Sequence, residues 1–274
     1  MHPRIAIPIP HSGDPEYAER SLPQYERAVE MAGGTPVRIP LNQTPGETMR
    51  LIEHCDAVLL PGSRADVDPA KYDARRNPHT AAADSKRDSV DELLLQDAYN
   101  MHKPILGICY GLQILNVYRS GTLIQHIESR IDHEAGKKVP IAHTVEIDPT
   151  SKLAKITGPL QPSPQSPQGP GASRAAGSER NSQALAPEQD ALILSVNSSH
   201  HQSADIIGDG LRAVARCPSD GIVEAVEGVS PDHFVLAVQW HPERSVEDDE
   251  SSRAIFKALI AEAKASRTKS AGRF

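Results

Sequence analysis

The chain has 274 residues, of which 38% are hydrophobic and 4% aromatic, and a formal net charge of -7 at pH 7. That length suits one large domain or two small ones and is ample for a sizeable core. The acidic balance, with no basic cluster, argues against nucleic acid as the main partner. Met1–Pro8 lacks the apolar core of a signal peptide, and no segment is long enough to cross a membrane. A cytoplasmic protein with no membrane partner is therefore expected. Cys55, Cys109 and Cys217 are too few and too scattered for a disulfide framework and lack the paired spacing of a zinc site. Free thiols, no cofactor and no metal are the expectation.

In chain order, Arg4–Ile9 reads as a strand, Ser21–Ala32 as a helix closed by Gly33-Gly34, and Val37–Pro40 as a short strand. Thr44–Cys55 follows as a helix, and Ala57-Val58-Leu59-Leu60 as a buried strand ending in Pro61-Gly62-Ser63. Asp84–His102 carries Val90, Leu93, Leu94, Ala98 and Met101 near the helical period. Pro104–Ile108 is again a strand. This alternation predicts a parallel sheet covered by helices. The second half changes to strands with few helices between them: His143–Ile147, Leu192–Val196, Leu211–Arg216, Ile222–Val226 and Phe234–Val238. Cys217–Gly221 joins two of them as a turn, and Glu247–Lys264 closes the chain as a helix. The sum is a single α/β domain spanning the chain, with a central mixed, mostly parallel sheet flanked by helices. Gly158–Gln189, with Pro162, Pro164, Pro167 and Pro170 among Ser, Gln and Gly, has too few large apolar residues to offset its ordering. It is expected to be a disordered surface insertion.

Gly107-Ile108-Cys109-Tyr110-Gly111-Leu112-Gln113 spans the switch from the Pro104–Ile108 strand to a helix. Glycines two residues to either side of Cys109 permit a sharp bend, the geometry of a nucleophile elbow with Cys in place of Ser. Farther along, Gln239-Trp240-His241-Pro242-Glu243 follows the Phe234–Val238 strand. A Cys on an elbow with a His and a Glu at another strand end suggests a Cys-His-Glu triad. A helix starting at Tyr110 would favour the Cys109 thiolate. His241 would shuttle the proton, and Glu243 would fix its tautomer. The backbone N–H groups of Tyr110, Gly62 and Ser63 are the expected donors to the oxyanion, each worth roughly 10²–10³ in rate. Taken singly, a Cys in an apolar run is a core residue and His-Pro-Glu a surface turn. Their occurrence together at strand ends points to catalysis.

These two motifs resemble the class I glutamine amidotransferase superfamily, and more closely its free-standing branch of gamma-glutamyl-gamma-aminobutyrate hydrolase-like proteins. Further segments similar to that branch run in the same order. They are Leu60-Pro61-Gly62 with Asp66–Pro69, Lys86-Arg87-Asp88, Lys103–Asn116, Gly121–Gln125, Val196–Gln202 and Asp220–Ala225. The resemblance implies a flavodoxin-like fold of the amidotransferase type, the triad Cys109, His241 and Glu243, and hydrolysis of a gamma-glutamyl amide through a thioester. It places Asn197, Ser198, Ser199 and His200, with Gln113, around the substrate. The alternative is a glutaminase subunit that supplies ammonia to a separate synthetase; the free-standing match disfavours such a partner, and a homodimer is left open. Tyr110 stands where this branch often has Arg, which bears on substrate identity more than on reaction type. No metal site is expected at His200 and His201, because no acidic or Cys ligand lies at a suitable spacing.

Overall fold

The computed structural model describes residues 2–158, 161–162 and 192–271. Most of the predicted insertion at 158–189 lies outside the described residues.

The strands are β1 (Arg4–Pro8), β2 (Thr35–Ile39), β3 (Ala57–Leu60), β4 (Ile105–Ile108), β5 (Leu123–Ile124) and β6 (His143–Ile147), then β7 (Gln161–Pro162), β8 (Leu192–Val196), β9 (Ser203–Ala204), β10 (Leu211–Arg216), β11 (Val223–Gly228) and β12 (Val235–Val238). The α-helices are α1 (Pro15–Met31), α2 (Pro45–Ile52), α3 (Ser85–Met101), α4 (Tyr110–Tyr118), α5 (Lys152–Thr157) and α6 (Glu250–Ala271). Ten strands form one mixed sheet in the order β2-β1-β3-β4-β12-β11-β10-β6-β8-β7. From β2 to β12 neighbours are parallel; from β12 outward they are antiparallel. β5 and β9 form a separate antiparallel pair.

Every residue of β3, β4 and β12 is buried, as strands covered on both faces require. On one face pack Leu22, Tyr25 and Val29 of α1, Leu153 of α5, and Ile255, Phe256 and Leu259 of α6. On the other pack Ile52 of α2, Val90 and Leu94 of α3, and Leu112, Ile114 and Leu115 of α4. The parallel strands β1, β3, β4 and β12 all end at one edge of this sandwich. Loops leaving that edge are where ligand sites form in open α/β sheets.

Several element ends differ from the sequence reading. Helix α1 begins at Pro15, because the Asp14 side chain accepts from Tyr17 N at 2.9 Å and caps it. The interior Pro23 lies on the exposed face, where the missing N–H is tolerated. α2 starts where Thr44 and Glu47 form a capping box. α5 was not expected; its six residues are too few to show a period, and Ser151 caps it.

Candidate active site

Cys109 is the bend between β4 and α4, with φ 54° and ψ -106°. A non-glycine residue in that region is strained and must be held there by its surroundings. The flanking glycines supply room for close approach. A Cβ on Gly111 would lie 2.2 Å from the Leu60 carbonyl oxygen, and one on Gly107 would lie 2.7 Å from that of Gly111. The bend is therefore clamped between β3 and the first turn of α4.

His241 follows β12, the strand hydrogen-bonded to β4 in register Gly107↔Ala237 and Ile108↔Val238. The ladder extends one step further, with Cys109 N donating to Val238 O at 2.8 Å. A Cβ on Gly62 would stand 3.1 Å from His241 Cε1 and 3.6 Å from Cys109 Cβ, so the two side chains flank one point beside the β3 loop. The Nδ1–H of His241 donates to Glu243 Oε1 at 2.8 Å, a tautomer that leaves Nε2 as a base; Nε2 has no hydrogen-bond partner among the described residues. Asn197 grips the His241 backbone from both sides. Its Nδ2 donates to His241 O at 2.9 Å, and its Oδ1 accepts from His241 N at 3.0 Å.

Burial pushes the Cys109 thiol up to about 12, against the opposing pull of Arg244 and of a hydrogen bond from the Tyr110 backbone. Burial likewise lowers the His241 imidazole, although Glu243 opposes it. The carboxyl of Glu243 is held below its ordinary value by His241 and Arg244, in spite of burial. Both directions favour the neutral thiol and the neutral imidazole, opposing the pull of the helix N-terminus toward a thiolate.

The hydrogen bonds show how the other expected site residues are held. The Gly62 N–H donates to the Tyr25 hydroxyl at 3.0 Å. The residues expected around the substrate also bond to the protein itself. Gln113 donates to Gln202 O at 3.1 Å, and Ser198 Oγ donates to His133 O at 2.7 Å. Ser199 Oγ accepts from Arg244 Nη1 at 2.8 Å, and His200 Nδ1 bonds Gln202 O at 3.0 Å. Each of these polar groups, with Asn197, fixes a loop or the imidazole. Tyr110 is buried, and its hydroxyl donates to Asp88 at 2.6 Å, so this side chain points into the α3 layer.

A model of the Peptidase C26 family matches residues 8–167 and 175–243. The chain belongs to the Peptidase C26 family. It is 33% identical over 262 residues to a glutamine amidotransferase-like protein of Rickettsia prowazekii, covering 90% of this chain and 89% of that one. It is 30% identical over 247 residues to the gamma-glutamyl-gamma-aminobutyrate hydrolase of Escherichia coli O157:H7, covering 86% and 84%. Within the class I glutamine amidotransferase superfamily it therefore lies near that branch. Among solved structures it is similar in fold to a GMP synthase subunit from Thermoplasma acidophilum, with TM-score 0.61, 14% identity and 98% of each chain covered. The glutaminase domain of the Trypanosoma brucei CTPS is also similar, with TM-score 0.54, 18% identity and 94% of each chain covered.

Sequence reasoning missed two parts of this C26 site. Arg87 is fully buried; it pairs with Asp91 at 2.8 Å and donates to the carbonyls of Pro10 at 3.0 Å and Pro61 at 2.9 Å. It therefore ties the loops after β1 and β3 to α3. The second part is a buried histidine cluster around Glu224, formed by His133, His143 and His200. Spacing along the chain reveals only the near neighbours of His200, whereas its partners in the cluster arrive from three other segments. The sequence hints were the abundance of His and the family-like segments Val196–Gln202 and Asp220–Ala225, which carry His200 and Glu224.

Proposed function

We propose that this C26 hydrolase cleaves the side-chain amide of gamma-glutamyl compounds by itself, through a thioester on Cys109. The observation that carries the reading is the His241 ring. Glu243 holds its Nδ1–H at 2.8 Å, and its buried Nε2 is left unpartnered, among the described residues, beside the strained elbow.

In the proposed cycle, Cys109 Sγ attacks the gamma-carbonyl carbon while its proton passes to His241 Nε2. Burial favours the neutral form of both groups, so in this cycle the thiolate forms as the attack proceeds. Glu243 stabilises the imidazolium that results. The carbonyl oxygen, now negative, takes the backbone N–H of Tyr110 and that of Ser63. His241 then gives its proton to the amine nitrogen as the C–N bond breaks, and the amine leaves. Water attacks the thioester with His241 as base; the thiol leaves protonated, and glutamate is released. Asn197 keeps the imidazole in place through its backbone throughout. No cofactor is needed for these steps, and each proton removed is returned.

The 30% identity to a gamma-glutamyl-gamma-aminobutyrate hydrolase supports this substrate class. The test is turnover of gamma-glutamyl-aminobutyrate, followed by released glutamate, using purified full-length protein alone. Turnover is expected in the wild type and none in Cys109→Ala, with hydroxylamine trapping the acyl group as a hydroxamate. Failure on a panel of gamma-glutamyl amides rejects the reading. Activity that emerges only with a synthetase would favour the role of a glutaminase component in a larger enzyme.

A further inference from the structure

We propose that His133, His143 and Glu224 form a binding site for a divalent transition metal ion of the zinc class, with His200 packed beside it. Glu224 is fully buried on β11, and the three rings, all buried, converge on its Oε1. His133 Nδ1 lies at 3.3 Å, His143 Nε2 at 3.0 Å and His200 Nε2 at 3.5 Å. In a tetrahedral site with bonds of about 2.0–2.1 Å, ligand atoms stand about 3.3 Å from one another. The separations at His133 and His143 lie near that edge length. Ligand atoms of His133, His143 and Glu224 all lie within 4.8 Å of one another, and His200 falls outside that group.

The tautomers supply the decisive argument. His133 Nε2 bonds Asp220 Oδ2 at 2.9 Å, so in a neutral ring the proton sits there and Nδ1 presents a lone pair to Glu224. His200 Nδ1 donates to Gln202 O at 3.0 Å, so its Nε2 also presents a lone pair. His133 Nδ1, His143 Nδ1, His200 Nε2 and Glu224 Oε2 make no hydrogen bond among the described residues. Orphaned polar atoms at this depth are costly. A cation held by His133 Nδ1, His143 Nε2 and Glu224 would give the His133 lone pair a partner. Rings that ligate a metal typically give their other N–H to a carboxylate or a backbone carbonyl, and Asp220 is such a partner for His133.

The donor set selects the ion. Two imidazoles and one carboxylate suit Zn²⁺, Co²⁺ or Ni²⁺, and offer too few oxygens for Ca²⁺ or Mg²⁺. Three protein ligands leave one position of a tetrahedral sphere open. Entry is provided by a cavity of about 350 Å³ whose lining includes His126, His133, His200 and His201. The ion would join the segment before β6, β6 itself and β11. Beside it, the loop after β8 carries Asn197, which holds His241, and Glu224 O accepts from Gln239 N at 2.7 Å.

The test uses untagged full-length protein stripped with a chelator, titrated with Co²⁺ and, separately, with Zn²⁺ against a chromophoric chelator. One equivalent of Co²⁺ should raise the intense visible bands of a tetrahedral site, and Zn²⁺ should abolish them and raise the melting temperature. His143→Ala and Glu224→Gln should lose more affinity than Asp220→Asn, for which a loss of about 10–100-fold is expected. Cys109→Ser should keep the full signal, which separates this centre from capture by the triad thiol. If Glu224→Gln fails to fold, His143→Ala and the wild-type titration decide. No cobalt bands and no thermal shift in the wild type would overturn the proposal, leaving protonated imidazoles around the carboxylate. Bands that survive His143→Ala but vanish in Cys109→Ser would overturn it equally.

Discussion

Asn197→Ala separates two roles for a residue that sequence resemblance places at the substrate and the structure places behind the imidazole. The amide of Asn197 makes two buried hydrogen bonds to one residue, at 2.9 and 3.0 Å. Alanine leaves the His241 N–H and C=O without these partners. Each buried group stripped in this way costs about 1–3 kcal/mol. Water entering the space left by the amide recovers part, so a loss of roughly 2–4 kcal/mol is expected from urea denaturation. On the proposed substrate, a displaced imidazole should lower kcat by about 10²-fold, the cost of misplacing a reacting group by about 1 Å. KM should change little, because no substrate contact is removed. Asn197→Asp, which still accepts from the N–H but no longer donates, should fall between the two. A variant of wild-type stability whose only defect is a large rise in KM would refute this reasoning and return Asn197 to the substrate pocket.

Gly111→Ala forces a methyl group to within 2.2 Å of the Leu60 carbonyl, and the neighbour is backbone that cannot rotate away. A loss of about 3 kcal/mol or more, at the upper end of overpacking costs, should appear in thermal or urea melts, together with loss of activity; a neutral variant would contradict the close packing of the elbow. Arg87→Met strands the fully buried Asp91 carboxyl and should cost about 3–5 kcal/mol, while Arg87→Met combined with Asp91→Leu should recover much of it. Failure of the double variant to improve on the single one would show that the bonds to Pro10 and Pro61 dominate. Burial raises the thiols of Cys55 and Cys109 from 9.0 to about 11 and about 12. Raised values mean that stability from the neutral thiols is fully present below the unfolded value and is lost as pH rises through the folded one. The urea midpoint should therefore hold to about pH 8 and fall progressively above about pH 9; a midpoint still flat at about pH 10.5 would count against buried neutral thiols. For the same reason, substrate-free Cys109 should react with iodoacetamide no faster than a free thiol near neutral pH. A reactivity plateau already reached by about pH 7 would mean a preformed thiolate.

The parallel half of the sheet was legible because each of its central strands is a short apolar run bounded by turn residues, as in Ala57–Leu60 and Ile105–Ile108. The elbow was legible for a different reason: two glycines bracket a residue whose conformation they make room for. Helix α1 extends six residues further toward the N-terminus than its apolar pattern suggests, because Pro23 looks like a boundary while the true start is the Asp14-Pro15 cap. The neighbourhood of His200 was illegible in principle. Its partners His133, His143 and Glu224 come from elements brought together only by the antiparallel half of the sheet. The inward engagement of Ser198, Ser199 and Gln113 was hidden likewise, since polar residues in a loop look the same whether they meet solvent, substrate or another backbone.

Cys109 and His241, the proposed nucleophile and base, stand one and three residues beyond the last β4–β12 pair, Ile108↔Val238, so their alignment is measured out in peptide units. The outer helices can drift in sequence and length without disturbing it. Inserting or deleting a single amino acid between Val238 and His241 would move the imidazole from its place beside Gly62 and Glu243. Lineages of this fold should thus vary freely in their connections while holding the count of residues in that short tether constant.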